Sequence, residues 1–72
     1  MSFTELIIHS RKAAGLTQRQ LAEFAGVGKT VIWDLEHGKT SVRHDTLLRV
    51  LKALNIRLTA KSPVSKEEIS LT

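Results

Sequence analysis

The chain contains no cysteine, so neither disulfides nor a thiolate metal site can stabilise it, and a reducing compartment suits it. No apolar run approaches the ~18 residues that a membrane helix needs. The N-terminus lacks the basic-then-apolar build of a signal peptide, and a cytoplasmic location is expected. His9, His37 and His44 do not share the i, i+4 spacing of a helical ligand pair, and no carboxylate cluster stands near them. No metal or other cofactor is expected. A nucleophile with its base and orienter cannot be assembled, nor is there a phosphate-binding glycine loop, so enzyme activity is not expected either. With 72 residues the chain has room for one small domain, whose core is marginal without help. Once staples are excluded, oligomerisation is the remaining usual aid.

What the chain does have is positive charge. The formal net charge is +4, and residues 1–61 hold 10 basic against 5 acidic groups, or +5. An excess of that size on a small domain favours a polyanionic partner without requiring one.

The most informative stretch is Thr17 to Gly38, TQRQLAEFAGVGKTVIWDLEHG, which reads as two short helices joined by a tight bend. Thr17 is placed to cap the first, with Gln20 three residues on completing a capping box. Leu21, Ala22 and Ala25 form an apolar stripe at helical spacing, and small Ala22 admits a close helix crossing. Gly26 can take the positive φ that stops the first helix. Val27 turns inward as the plug of the bend. Gly28 is an acceptable N-cap for a second helix running to about His37, with Ile32 and Leu35 inward and Gly38 as its stop.

Flanking this pair, Phe3, Leu6, Ile7, Ser10 and Ala14 give a helical face over about 3–14, with Ser2 or Thr4 as cap and Gly15 at its end. Leu47, Val50, Leu51 and Leu54 predict a helix of roughly 43–55, with Asp45 near its positive end. From Ile56 through Arg57, Leu58, Thr59 and Ala60 to Lys61 the period changes to alternation, the pattern of a half-buried strand. With no other strand candidate in the chain, its obvious partner is the same strand of a second subunit across a two-fold axis; a frayed extended tail is the alternative. The segment 62–72, SPVSKEEISLT, is too poor in large apolar residues to order itself and is expected to be disordered, unless Ile69 and Leu71 dock onto a partner. The division is therefore 1–55 helical domain, 56–61 dimerising strand and 62–72 tail.

The spacing of Gln18, Ala22, Gly26, Val27, Ile32 and Leu35, followed by Glu36-His37-Gly38-Lys39, resembles the helix-turn-helix of the Cro and phage-repressor family over roughly Phe3 to Leu54. That resemblance implies an all-α, four- to five-helix lambda-repressor-like DNA-binding domain, here with a short C-terminal β-strand pairing across a dimer. It implies that the second helix of the motif enters the major groove, so that Gly28, Lys29 and Thr30, and Asp34 one turn on, reach base edges. Lys29 can donate to guanine and Thr30 can meet a thymine methyl or a polar edge. Asp34 can accept from cytosine or hold Lys29 or a neighbouring Arg in place. Val31 either touches a thymine methyl or packs. Phosphate contacts are expected from Gln18, with Thr17 and Arg19 beside it at a helix N-terminus, and from an arm of Lys39, Thr40, Ser41 and Arg43. Arg11 and Glu36 fall where the family places a structural ion pair between its first and third helices. Trp33 follows Ile32 and so lies off the core face; contact with the DNA backbone, a partner interface, or filling against the first helix all stay open.

The segment VRHDTLLRVLKALNIRLT, from Val42 to Thr59, combined with this domain resembles the HipB-like antitoxins. In that group the terminal strand joins two subunits, and the dimer binds operator DNA near its own promoter and also holds a HipA-like kinase toxin. The function expected is thus a sequence-specific repressor on double-stranded operator DNA, homodimeric, serving as the antitoxin of an autoregulated operon. A stand-alone phage- or plasmid-type repressor is one alternative, and a protein-interaction module with little DNA affinity is another.

Overall fold

In the computed structural model, which describes residues 1–39 and 41–72, the described residues form four helices and a two-stranded antiparallel sheet. The helices are α1 (Phe3–Ala13), α2 (Gln18–Ala25), α3 (Lys29–Glu36) and α4 (His44–Ala53); the strands are β1 (Thr59–Lys61) and β2 (Glu68–Ser70). Thr40 lies outside the described residues. No helix among them is long and apolar enough to cross a membrane.

Local chemistry starts the first two helices. Ser2 Oγ accepts from the Glu5 amide at 3.1 Å while Glu5 Oε1 accepts from the Ser2 amide at 3.3 Å. Thr17 and Gln20 exchange the same two bonds at 3.0 and 2.9 Å. Each box satisfies amides that a helix start would otherwise leave open. Between α2 and α3, Gly26 sits at φ +72° and its amide bonds back to Glu23 O. A Cβ added there would meet nothing within 4 Å, so glycine is needed for its left-handed backbone and not for room.

The core lies where the helices meet. Ile7 of α1, Leu21 of α2, Ile32 of α3, and Val50 and Leu51 of α4 are fully buried. Ala22 and Leu35 are nearly so, and Val27, Val31, Leu47 and Leu54 pack around them. α2 packs on both α3 and α4, and α1 on α3. Phe3, expected on the inner face of α1, stays 45% exposed; at the first helical position it lies at the rim of the core.

The C-terminus departs from expectation. The strand over 56–61 does not lack a partner in the chain. Its last three residues pair with β2 in the register Thr59↔Ser70, Ala60↔Ile69 and Lys61↔Glu68, and Leu58 O accepts from the Leu71 amide at 2.7 Å. Residues 62–72, expected to be disordered, return as the second arm of this hairpin. Its turn is held by Ser62 N–H to Glu67 O at 2.9 Å and Lys66 N–H to Ser62 O at 2.8 Å. The physical reason is that backbone pairing, not side-chain burial, organises the tail. An edge strand needs hydrogen-bond partners, and closing a short loop within one chain has a small entropic cost. The orphan-strand argument for a second subunit accordingly loses its premise.

Candidate nucleic-acid interface

The two faces of α3 divide cleanly. Ile32, Leu35 and Glu36 are buried, whereas Lys29, Thr30, Trp33 and His37 are exposed. This follows from helical period: buried residues at steps of three and one leave positions 29, 30, 33 and 37 on the other side. Val31 is half-buried and packs against the core cluster. Gly28 caps α3 with no side-chain bond, which leaves the first amides of the helix open toward the same exposed end.

Behind this helix sits a three-residue polar node. Arg11 Nε donates to Glu36 Oε2 at 2.6 Å and its Nη2 to Oε1 at 3.0 Å, a two-pronged pair between α1 and α3. Arg11 Nη1 also donates to Leu16 O at 2.9 Å. The two side chains are only 12% and 5% exposed. Burial alone would raise the Glu36 carboxyl, but hydrogen bonds from Arg11 and Gln18, with the charges of Arg11 and His37, outweigh it and hold the group below its ordinary value. The third member was not read from sequence: Gln18 Nε2 donates to Glu36 Oε1 at 3.1 Å. The amide expected on a phosphate thus ties the start of α2 to the end of α3. One hydrogen of that NH2 is committed to Glu36, and the second, with the main-chain N–H in the first turn of α2, is the remaining donor capacity of Gln18.

Of the remaining candidates for DNA contact Asp34 is half-buried and the others among the described residues are exposed, several of them in ion pairs. Asp34 is held by Lys39, whose Nζ lies 3.3 Å from Oδ2 and whose amide bonds to Asp34 O at 2.9 Å. The cation that Asp34 organises is therefore Lys39 and not Lys29 or an Arg. Arg43 pairs with Asp45 at 3.2 Å and Arg19 with Glu23 at 3.6 Å. Surface pairs of this kind are weak and exchange readily for a phosphate. Lys29 forms no ion pair among the described residues, which leaves it the free cation at the start of α3. Thr17 caps α2, and Ser41 is exposed beyond α3. In the expected dimer segment Ile56 and Leu58 are half-buried, Arg57 is exposed, and Thr59 and Ala60 belong to β1.

Sequence reasoning also missed a stack: the Trp33 and His37 rings lie with centroids 3.6 Å apart and planes 14° from parallel. Trp33 thus packs along its own helix against His37. The i, i+4 spacing of two aromatic rings on an exposed face is the signal that could have found it.

No curated protein matches the chain. The family described as Helix-turn-helix matches it over residues 8–60, the span from the middle of α1 through α2, the Gly26 bend, α3 and α4 into β1. A capped α2, a left-handed glycine at the bend and an α3 with one face buried and the other open are the physical content of that match, and the chain belongs to the Cro- and phage-repressor-like helix-turn-helix family of DNA-binding transcription regulators.

Proposed function

We propose that the chain is a sequence-specific repressor that binds operator DNA by laying α3 in the major groove. The observation that carries this reading is the position of Lys29 and Thr30: exposed, at the start of a helix whose opposite face is anchored by Ile32, Leu35 and the Arg11–Glu36 pair. Lys29 is the donor to guanine and Thr30 the contact to a thymine methyl or polar edge, with Asp34 and Gly28 beside them. The Gln18 and Arg19 amides, the Thr17 hydroxyl and the Arg19 side chain hold phosphates on one flank. Lys39, Ser41 and Arg43 do so on the other, and Thr40 belongs to the same arm.

The protein acts as a homodimer on a palindromic site with half-sites ~34 Å apart. A two-stranded sheet supports this, because each of its strands keeps one unpaired edge that a second copy can extend. The resemblance of Val42–Thr59 to HipB-like antitoxins supports the finer role of an antitoxin that represses its own operon and holds a HipA-like toxin.

The test is binding to a duplex of the chain's own upstream region against scrambled duplex. Lys29→Ala and Thr30→Ala are expected to weaken operator binding about 5- to 100-fold each and to narrow the gap between the two duplexes. Unchanged affinity in both variants would sink the assignment.

A further inference from the structure

An exposed tryptophan one turn along the groove-facing side of α3 needs a physical account. Trp33 is 50% exposed although its neighbour Ile32 is fully buried, so the core neither requires nor shelters the indole. It is nonetheless ordered. Its ring lies face to face with His37 at 3.6 Å, and His37 Nδ1 lies 2.7 Å from the Trp33 carbonyl oxygen. A carbonyl only accepts, so Nδ1 carries the proton. Stack and hydrogen bond together hold the imidazole, and through it the indole, in one arrangement before any ligand arrives. A side chain ordered in advance loses little further freedom on binding.

Position decides what the ring meets. Trp33 is four residues beyond Lys29 and three beyond Thr30, hence on their side of the helix, one turn farther along. An α-helix with its side chains is ~10–12 Å across and the major groove is ~12 Å wide. Nothing as large as an indole fits between the helix and the base-pair floor, so in the docked complex the ring lies against a groove wall, which is sugar and phosphate. Its N–H donates to no acceptor among the described residues, and the cations nearby, Lys29 on the same helix and Lys39, paired with Asp34, at its exit, would favour a phosphate strand beside it.

We propose that Trp33, positioned by His37, is a DNA-backbone contact, its face against deoxyribose and its indole N–H donating to a phosphate oxygen. The inference rests on the operator-binding reading above and adds to it a contact that confers affinity without base choice. A protein docking on the same stripe would have to displace the DNA, which makes a partner interface the rival occupant that the experiment exposes.

The chain has one tryptophan and no tyrosine, so its red-edge fluorescence reports Trp33 alone. The probe is a labelled duplex enriched from a random pool by the protein itself, with a scrambled duplex beside it. Label anisotropy gives binding, and acrylamide quenching gives access to the indole. On DNA binding, Trp33 is expected to become about threefold or more harder to quench. Trp33→Ala is expected to weaken both duplexes by about tenfold with their ratio kept, as loss of one hydrogen bond and a buried face implies, and Trp33→Phe to fall between. His37→Ala should leave the melting temperature in place, loosen the indole in the free protein, and cause no further loss once Trp33 is alanine. Binding with the indole as open as in free protein, or a Trp33→Ala variant that binds as well as its parent, overturns the inference and leaves the operator reading standing. A loss confined to the enriched duplex overturns it in favour of base readout. Failure to enrich any duplex removes the operator reading, and the inference with it.

Discussion

The helical body and the C-terminal hairpin are built on opposite terms. In the body, five side chains from four helices are fully buried and a charged pair is drawn in behind them. In the hairpin, all six strand residues are exposed, and what holds it is a short ladder, a few turn hydrogen bonds and one surface ion pair at 3.8 Å. A two-stranded hairpin without a buried face is marginal in water, whereas a helix bundle of this size depends on each core residue. The lesson is that the motif that presents α3 is rigid because burial is shared among distant segments, and the hairpin is ordered only as far as its own backbone bonds carry it.

The body is most vulnerable at Ile32, which is fully buried. Replacing it with alanine leaves a void where α2, α3 and α4 meet and is expected to cost about 2–5 kcal/mol, a large share of the stability of a domain this small; urea melts measure it. Glu36→Gln removes one partner of the polar node and strands Arg11. A fully buried pair would cost more, and this one at the edge of the core is expected to cost about 2–3 kcal/mol. The same variant also makes the stability of the body depend less on pH. Because the Glu36 carboxyl is held below its ordinary value of 4.5, its pairing stabilises the fold above that pH and the stabilisation is lost as pH falls through the lowered folded value. Wild-type and Glu36→Gln melting curves should therefore converge with acid and stay apart at neutral pH. A gap independent of pH would assign the cost to lost packing and not to charge.

At the small end, deleting residues 62–72 is expected to change the unfolding free energy of the body, read from urea melts, by less than about 1 kcal/mol. Hydrogen exchange at Thr59–Lys61 in the intact chain should run orders of magnitude faster than at Leu21, Ile32 and Leu51. That rate is expected for the dilute chain; as protein concentration rises, protection at Thr59–Lys61 should rise with it, because the proposed dimer covers the sheet edge.

Much of the body was legible because its instructions are local. The Thr17–Gln20 box, the left-handed Gly26, and the three- and four-residue steps of Leu21, Ile32, Leu35, Val50 and Leu51 each act within a turn or two of chain. The exposure of Lys29 and Thr30 follows from the same period. Less legible were the commitments of polar side chains. The place of Gln18 at a helix start points to a phosphate, yet one hydrogen of its side-chain amide bonds Glu36, eighteen residues away. Asp34 had several cations within plausible reach, and only the path of the chain past Gly38 brings Lys39 to it.

The sequence by itself determined where helices start and stop, which of their faces are apolar, and that the chain carries a glycine-bearing bend between two short helices, since these depend on φ preferences, caps and periodicity within a few residues. Only the tertiary structure decided that β1 pairs with the returning tail, that Gln18 joins the Arg11–Glu36 node, and that Lys39 serves Asp34. A hydrogen-bond donor is chosen by what the folded chain brings within about 3 Å of it, and that proximity is created by packing and loop closure across segments whose local patterns do not refer to one another.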